Sequence, residues 1–103
     1  MPYDDNLAAR VRLALSLYGA PKEREMLGGL MFYMDGRMLA GVINDQLVLR
    51  LSPASAAEAL ARNAIDPDAE QEMPGVFSVS PAGHEWDEDL ADWIRLAVEG
   101  PTA

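Results

Sequence analysis

Residues 26–51, which read MLGGLMFYMDGRMLAGVINDQLVLRL, decide the fold of this chain. They contain three apolar runs of strand length, at 30–34, 37–43 and 46–51. The runs are separated by Asp35-Gly36 and Asn44-Asp45, and both pairs tolerate the positive φ that two-residue type I′ turns require. The stretch therefore predicts a three-stranded antiparallel meander.

Counting outward from the two turns assigns the side chains of the meander to two faces. The count places Phe32 opposite Leu39 and Leu30 opposite Gly41. One face then collects Met31, Tyr33, Met38, Ala40, Val42, Leu47, Leu49 and Leu51. The other collects Leu30, Phe32, Met34, Leu39, Ile43 and Val48, with Arg37, Gln46 and Arg50. A solvated face would alternate with polar residues, so both faces need cover. The first face is the better candidate for the main core, because only the second must accommodate charges.

The residues before the meander predict an amphipathic helix from Asp4 or Asp5 to about Tyr18, since either carboxylate can cap the free N–H groups. Its apolar positions recur at helical spacing and form an unusually wide stripe: Leu7, Val11, Leu15 and Tyr18, with Leu13, Ala14 and Leu17 beside them. This width indicates burial on more than one side of the helix.

Three glycines are expected to have structural roles in turns or bulges. Gly36 belongs to the first hairpin turn, and the pair Gly28-Gly29 suggests a bulge or a close backbone approach. A phosphate-binding loop would also use glycines, but it needs a helix after them, whereas here a strand follows.

The residues after the meander predict two more helices and a further strand. Ser52-Pro53 is typical of a helix start and opens a short alanine-rich helix. An exposed acidic loop is expected at 63–74, a fourth strand at 76–80, and a final helix capped by Asp87 and ended by Gly100-Pro101. We therefore expect one α+β domain over 1–103: an antiparallel meander sheet of about four strands with an N-terminal helix, a short middle helix and a C-terminal helix.

The charge of the chain is strongly asymmetric. The net charge is −9, and residues 63–103 hold ten acids against Arg95 alone, whereas residues 1–62 are balanced. Nucleic-acid binding normally needs a basic stripe, so this distribution argues against direct nucleic-acid contact. The acidic third is best interpreted as a solvated surface.

The sequence contains no catalytic, metal or cofactor constellation. Cysteine is absent, which excludes disulfides and thiolate chemistry. His84 lies among acids, but a zincin motif needs a second histidine at position 88, which is a glutamate. No serine has a nucleophile-elbow pattern around it, and the paired carboxylates fall in loops and helix starts. We therefore predict a non-enzymatic protein without a cofactor or a bound metal.

The N-terminus has no apolar signal region, and no apolar run approaches the roughly 20 residues that a membrane helix needs. A cytoplasmic protein without a membrane partner is expected.

The order of these elements and their local motifs resembles the N-terminal domain of the TfoX/Sxy family of bacterial competence regulators. The resemblance rests on Met26-Leu27-Gly28-Gly29, Phe32, Gly36, Gly41-Val42, Leu47-Val48-Leu49-Arg50, the alanine-rich helix at 54–62, Gly75 to Val79 and the tryptophan-bearing helix near the end. Leu27 replaces the usual phenylalanine of the motif, and an Arg-Pro pair after the second helix is missing. The chain is expected to be a stand-alone N-terminal domain.

The resemblance implies an α+β domain that acts in transcriptional control through protein contacts, with no catalytic residues to carry over. We expect a protein partner or a second copy, as a homodimer, to bind the second sheet face or the edge of the first strand. The candidate partner-binding residues are Phe32, Arg37, Leu39 and Arg50. Arg50 leaves alternatives open. It could form a structural ion pair or lay its stem along the sheet with its head in water, or it could anchor an anionic ligand in the pocket of a small-ligand-binding domain or an unrecognised enzyme.

Overall fold

The computed structural model describes residues 3–26, 28–61, 75–79 and 81–99. In chain order, these residues form α1 (Asp5–Leu15), β1 (Lys22–Met26), β2 (Gly29–Met34), β3 (Arg37–Ile43), β4 (Gln46–Arg50), α2 (Pro53–Ala61), β5 (Val76–Val79), α3 (Pro81–His84) and α4 (Asp87–Glu99). The α+β class and the three main helices are confirmed. The acidic loop expected at 63–74, the end of the fourth predicted strand at Ser80 and the helix stop at Gly100-Pro101 lie outside the described residues, as does Leu27.

The strands form one antiparallel sheet in the order β1-β2-β3-β4-β5. The described sheet therefore has five strands rather than about four, because Lys22–Met26 pairs with β2 as an edge strand. All five β1 residues are exposed, and four of them are charged. Such a strand lacks the apolar alternation that identifies strands in a sequence, although charged side chains are typical of protected sheet edges. The first strand of the meander is consequently not an edge.

Both predicted hairpins form, but their turns differ. Asp35 and Gly36 have φ of 54° and 77°, as a type I′ turn requires. In the second turn Ile43 pairs with Gln46, yet only Asn44 has a positive φ, of 54°. The second turn is thus a two-residue connection without the type I′ backbone that the sequence predicts.

The predicted register between β2 and β3 is wrong by one residue beyond a bulge. Phe32 pairs with Ala40 and Tyr33 pairs with Met38, so Leu39 is an extra residue in β3. A bulge of this kind places two residues opposite one and reverses the parity of the strand. The bulge therefore places the buried core side chains of β2 on the same sheet face as the core residues of β3 and β4.

The main core lies between the helices and one face of the sheet. α1 packs beside α4, and both helices contact β3. The buried side chains of this core are Leu7, Ala8, Val11, Leu15, Leu30, Phe32, Leu39, Ala40, Val42, Leu47, Leu49, Leu51, Phe77, Val79, Leu90, Trp93, Ile94, Leu96 and Ala97. On the opposite face, Met31, Val48 and Val76 are also buried but lie outside this cluster.

Local capping fixes where the helices begin. The Asp4 carboxylate accepts hydrogen bonds from the N–H groups of Asn6 at 2.9 Å and Leu7 at 3.1 Å. The Ser52 hydroxyl accepts one from Ser55 N at 3.1 Å, with Pro53 at the first helical position. Both predicted helix starts are confirmed.

Two neighbouring glycines connect β1 to β2. Gly28 has a φ of 77°, in the left-handed region. Gly29 is required for a different reason, because a Cβ atom there would lie 2.3 Å from the carbonyl oxygen of Val42 on β3. The neighbouring strand therefore leaves no room for a side chain at this position.

Candidate interaction surface

The structure separates the four residues that the sequence predicts for partner binding. Phe32 and Leu39 are buried in the main core, where they cannot contact a partner, and this part of the prediction is corrected. Arg37 pairs with Met34, whose side chain packs against that core, whereas Arg50 lies on the opposite face beside Val48. The bulge at Leu39 therefore places the two arginines on opposite faces of the sheet rather than together.

An apolar surface lies instead along the outer side of α1. We call Ala9, Leu13 and Leu17 the α1 crest; they are spaced four residues apart, so they lie above one another on one helical face. Leu13 is 72% exposed and Leu17 is 80% exposed. The core stripe of the same helix, Leu7, Val11 and Leu15, faces the sheet on the other side. Helix α1 is thus apolar on two sides, of which the described fold covers one.

Leu17 remains aligned with Leu13 although α1 ends at Leu15. The N–H of Leu17 donates to Ala14 O at 3.4 Å, and the N–H of Tyr18 donates to Leu15 O at 2.9 Å. These bonds extend the helical winding by one tighter turn. The crest is therefore continuous from Ala9 to Leu17.

An ion pair fixes the side of α1 that faces β1. The guanidinium of Arg12 donates to both carboxylate oxygens of Glu23, with Nη2 at 2.7 Å from Oε1. This hydrogen bonding lowers the pKa of Glu23 and raises the pKa of Arg12. A bidentate arrangement also fixes the orientation of the two groups. Arg12 thus attaches the helix to the edge strand.

A second arginine fixes the side of α1 that faces α4. Arg10 Nη2 donates to His84 O at 2.7 Å and Glu85 O at 3.3 Å, and Arg10 Nε donates to Asp87 Oδ1 at 3.2 Å. Trp86 lies between two of these acceptor residues and is 66% exposed. An exposed aromatic residue therefore lies within the segment that Arg10 binds.

The corner between α3 and α4 is built on two buried ring systems. Trp93 Nε1 donates a hydrogen bond to Gly83 O at 2.9 Å, and His84 Nε2 donates one to Asp45 O at 2.9 Å. The other ring nitrogen of His84 is buried and has no hydrogen-bond partner among the described residues. His84 is therefore a buried part of the corner between α3 and α4.

The residues before α1 bind the β3–β4 turn and strand β1 of the sheet. Tyr3 forms a bridge with Asn44, and Asp4 N donates to Asn44 O at 2.7 Å. The Tyr3 hydroxyl donates to Glu25 at 3.0 Å, and this hydrogen bond raises the pKa of Tyr3. Both ends of α1 are thus fixed relative to the sheet, so the crest is held in a defined position.

The described residues contain neither a cluster of metal ligands nor a membrane-spanning helix. Within them, no three histidine, cysteine or acidic side chains gather where a metal ion could bind. In the same residues, no helix has both the length and the apolar character needed to cross a bilayer.

Comparison with known proteins identifies the family. The model of the TfoX N-terminal domain matches residues 13–100. The chain belongs to this family. No curated protein and no solved structure matches this TfoX N-terminal domain. The matched residues extend from the second half of α1 to the end of α4, so they include the sheet and most of the crest.

The sequence carried a signal for the crest of this TfoX N-terminal domain, but the signal was interpreted as burial. Leu13 and Leu17 widen the apolar stripe of α1, and the structure leaves both exposed. Trp86 and Arg10 had no comparable signal, because their roles depend on the contact between α1 and the α3–α4 corner.

Proposed function

We propose that this TfoX N-terminal domain is a non-enzymatic module that acts in transcriptional control, in the cytoplasm, by binding protein through the α1 crest. The observation that carries the proposal is the exposure of Leu13 and Leu17 on the side of α1 opposite its core stripe. Membership of the family supports a regulatory role, since the resemblance implies control of competence genes through protein contacts.

The energetics favour a partner on this surface. Covering an exposed leucine side chain contributes about 1.5–3 kcal/mol, so two neighbouring leucines provide a substantial part of a binding free energy. Tryptophan is among the residues that most often dominate protein interfaces, and the exposed Trp86 lies in the chain between Glu85 and Asp87, which Arg10 of the helix contacts. Exposed apolar groups that lie together, rather than singly, typically mark interaction sites.

The crest also has the rigidity that an interface requires. Arg12 and Arg10 bind β1 and the α3–α4 corner on its two sides. A surface held on a fixed helix loses little conformational entropy when a partner binds. The sheet face that carries Arg50 offers less exposed apolar surface for a partner, because Met31 and Val48 on that face are already buried.

A photo-crosslinking experiment in cells tests the proposal. A benzophenone amino acid replaces Leu13 in one variant and Asp35, at the exposed β2–β3 turn, in a control variant. We expect a discrete protein adduct at position 13 and none at position 35. Mass spectrometry of the adduct names the partner. The absence of any adduct at position 13, in a variant that remains folded, would refute the crest as an interface.

A further inference from the structure

We propose that the partner on the α1 crest is a second copy of this chain, packed antiparallel to the first about a twofold axis at Leu13. This inference rests on the proposed function and specifies its partner. Oligomers of identical chains most often close as twofold dimers, in which one surface binds the same surface of its copy. The crest must therefore complement itself.

The spacing of the crest residues meets this requirement. With an antiparallel twofold at Leu13, each residue of one copy is level with a residue of the second copy, and the two residue numbers add up to 26. Leu17 then lies against Ala9 of the second copy, and Leu13 lies against its own equivalent. Ala9 is exposed and small, so the large Leu17 side chain has space at the point where it arrives. Alternation of large and small side chains lets two helices pack closely.

The charges beside the crest are compatible with the same arrangement. The twofold brings Arg10 level with Ser16 of the second copy and Arg12 level with Ala14, so at neither level does an arginine meet another arginine. Both arginines are already paired, with Asp87 and Glu23. Two chains of net charge −9 repel each other, and most of the acidic excess belongs to residues 63–103. Helix α1 itself has two arginines and one acid, and the acids Glu85 and Asp87 lie beside it at the α3–α4 corner.

The exposed sheet edge at β1 is a poor alternative site for binding a second copy. In a twofold antiparallel pairing of two β1 strands, residues directly opposite share one face of the sheet. Centred on Arg24, that pairing sets Arg24 against Arg24 and Glu23 against Glu25. Shifting the centre to Glu23 or Glu25 sets that glutamate against itself. Like charges directly opposite destabilise a sheet, so β1 opposes self-association through its edge.

The absence of cysteine makes disulfide trapping a clean test, because every thiol is introduced. Four single variants are prepared: Leu13→Cys, Ala9→Cys, Leu17→Cys and the control Asp35→Cys. Each variant is oxidised mildly at low concentration. An equimolar mixture of Ala9→Cys with Leu17→Cys is oxidised in the same way. A disulfide forms only where the two Cα atoms approach within about 7 Å. Circular dichroism of each variant checks that it is folded.

We expect Leu13→Cys to dimerise at least tenfold faster than Asp35→Cys. We also expect the mixture of Ala9→Cys with Leu17→Cys to form the mixed dimer faster than either variant forms a dimer with itself. Faster self-linking of Ala9→Cys and Leu17→Cys would indicate a parallel arrangement and overturn the proposed geometry. If Leu13→Cys links no faster than the control, the second copy is refuted. In that case an adduct of another protein at position 13 would leave the proposed function intact.

Discussion

Gly29 and Leu39 determine how the first strands of the sheet fit together. Gly29 lets the backbone of β2 approach Val42 on β3, where a Cβ atom would lie 2.3 Å from the carbonyl oxygen. Leu39 is the extra residue of the bulge, so both it and Ala40 lie in the core opposite Phe32. Two single residues thus determine which side chains of β2 face the helices.

Replacing Gly29 by alanine tests the close approach. The added methyl group meets backbone rather than a flexible side chain, so the sheet must shift, and we expect a loss of about 1–3 kcal/mol in the free energy of unfolding. The matched control is Gly36→Asn, because its surroundings are open and asparagine tolerates a positive φ. Urea denaturation measures both variants. Equal, small losses for the two would contradict the structural role of Gly29.

The close approach at Gly29 is predictable from the sequence, whereas the bulge at Leu39 is not. Glycines before a strand predict a close approach or a bulge, and the backbone contact at Gly29 is such an approach. The bulge leaves no signal, because residues 38–40 are all apolar and either register gives an apolar face. The candidate residues Phe32 and Leu39 were assigned to the wrong face for this reason.

At the scale of elements, α1 is held between β1 and the α3–α4 corner by two arginines with different partners. Arg12 binds the Glu23 carboxylate, whose pKa this contact lowers, whereas Arg10 binds two backbone carbonyls in addition to the Asp87 carboxylate. The first attachment should therefore depend on pH through Glu23, and the second should depend on the geometry of the guanidinium.

The pH dependence follows from the lowered pKa of Glu23. A carboxyl group whose pKa is lower in the folded state stabilises the fold above its unfolded pKa, about 4.3, and loses this contribution as pH falls through the folded pKa. We therefore expect Arg12→Met to make the free energy of unfolding less dependent on pH between about pH 5 and pH 3. Arg24→Met, on the same edge strand, serves as the control. Identical acid profiles for wild type and Arg12→Met would contradict the pairing.

The geometry of Arg10 can be tested with a substitution that keeps the charge. Lysine carries its three N–H groups on one nitrogen and lacks the planar fork with which Arg10 directs Nε to Asp87 and Nη2 to His84 O and Glu85 O. We expect Arg10→Lys to lower the free energy of unfolding by about 1.5–3 kcal/mol, as for hydrogen bonds to a charged group. Arg24→Lys, at an exposed position of β1, should change it little. A loss no greater than that of Arg24→Lys would show that the corner does not depend on the guanidinium.

The helices were more predictable than the edge of the sheet. The caps at Asp4 and Ser52 are local hydrogen bonds between near neighbours, so the sequence alone contains them. Strand β1 depends on its pairing with β2, and its charged residues carry no apolar pattern. The exposed side of α1 is equally hard to predict, because a wide apolar stripe does not indicate which of its residues the rest of the chain covers.

At the scale of the whole molecule, the fold separates a covered and an uncovered apolar layer. The helices and one sheet face enclose the main core, while the α1 crest is exposed on the outer side of the same helix. The bulk of the negative charge belongs to the last 41 residues, of which Glu85 and Asp87 contact α1 through Arg10. A dimer through the crest would cover the exposed leucines of both copies.

Light scattering coupled to size-exclusion chromatography tests this account most directly. We expect the wild type to have twice the 11.2 kDa mass of one chain, and Leu13→Glu/Leu17→Glu to be a folded monomer. The control Ala57→Glu/Ala91→Glu adds the same charge at exposed positions of α2 and α4 and should remain a dimer. A wild type that is monomeric at high concentration, or a crest variant that stays dimeric, would contradict the account.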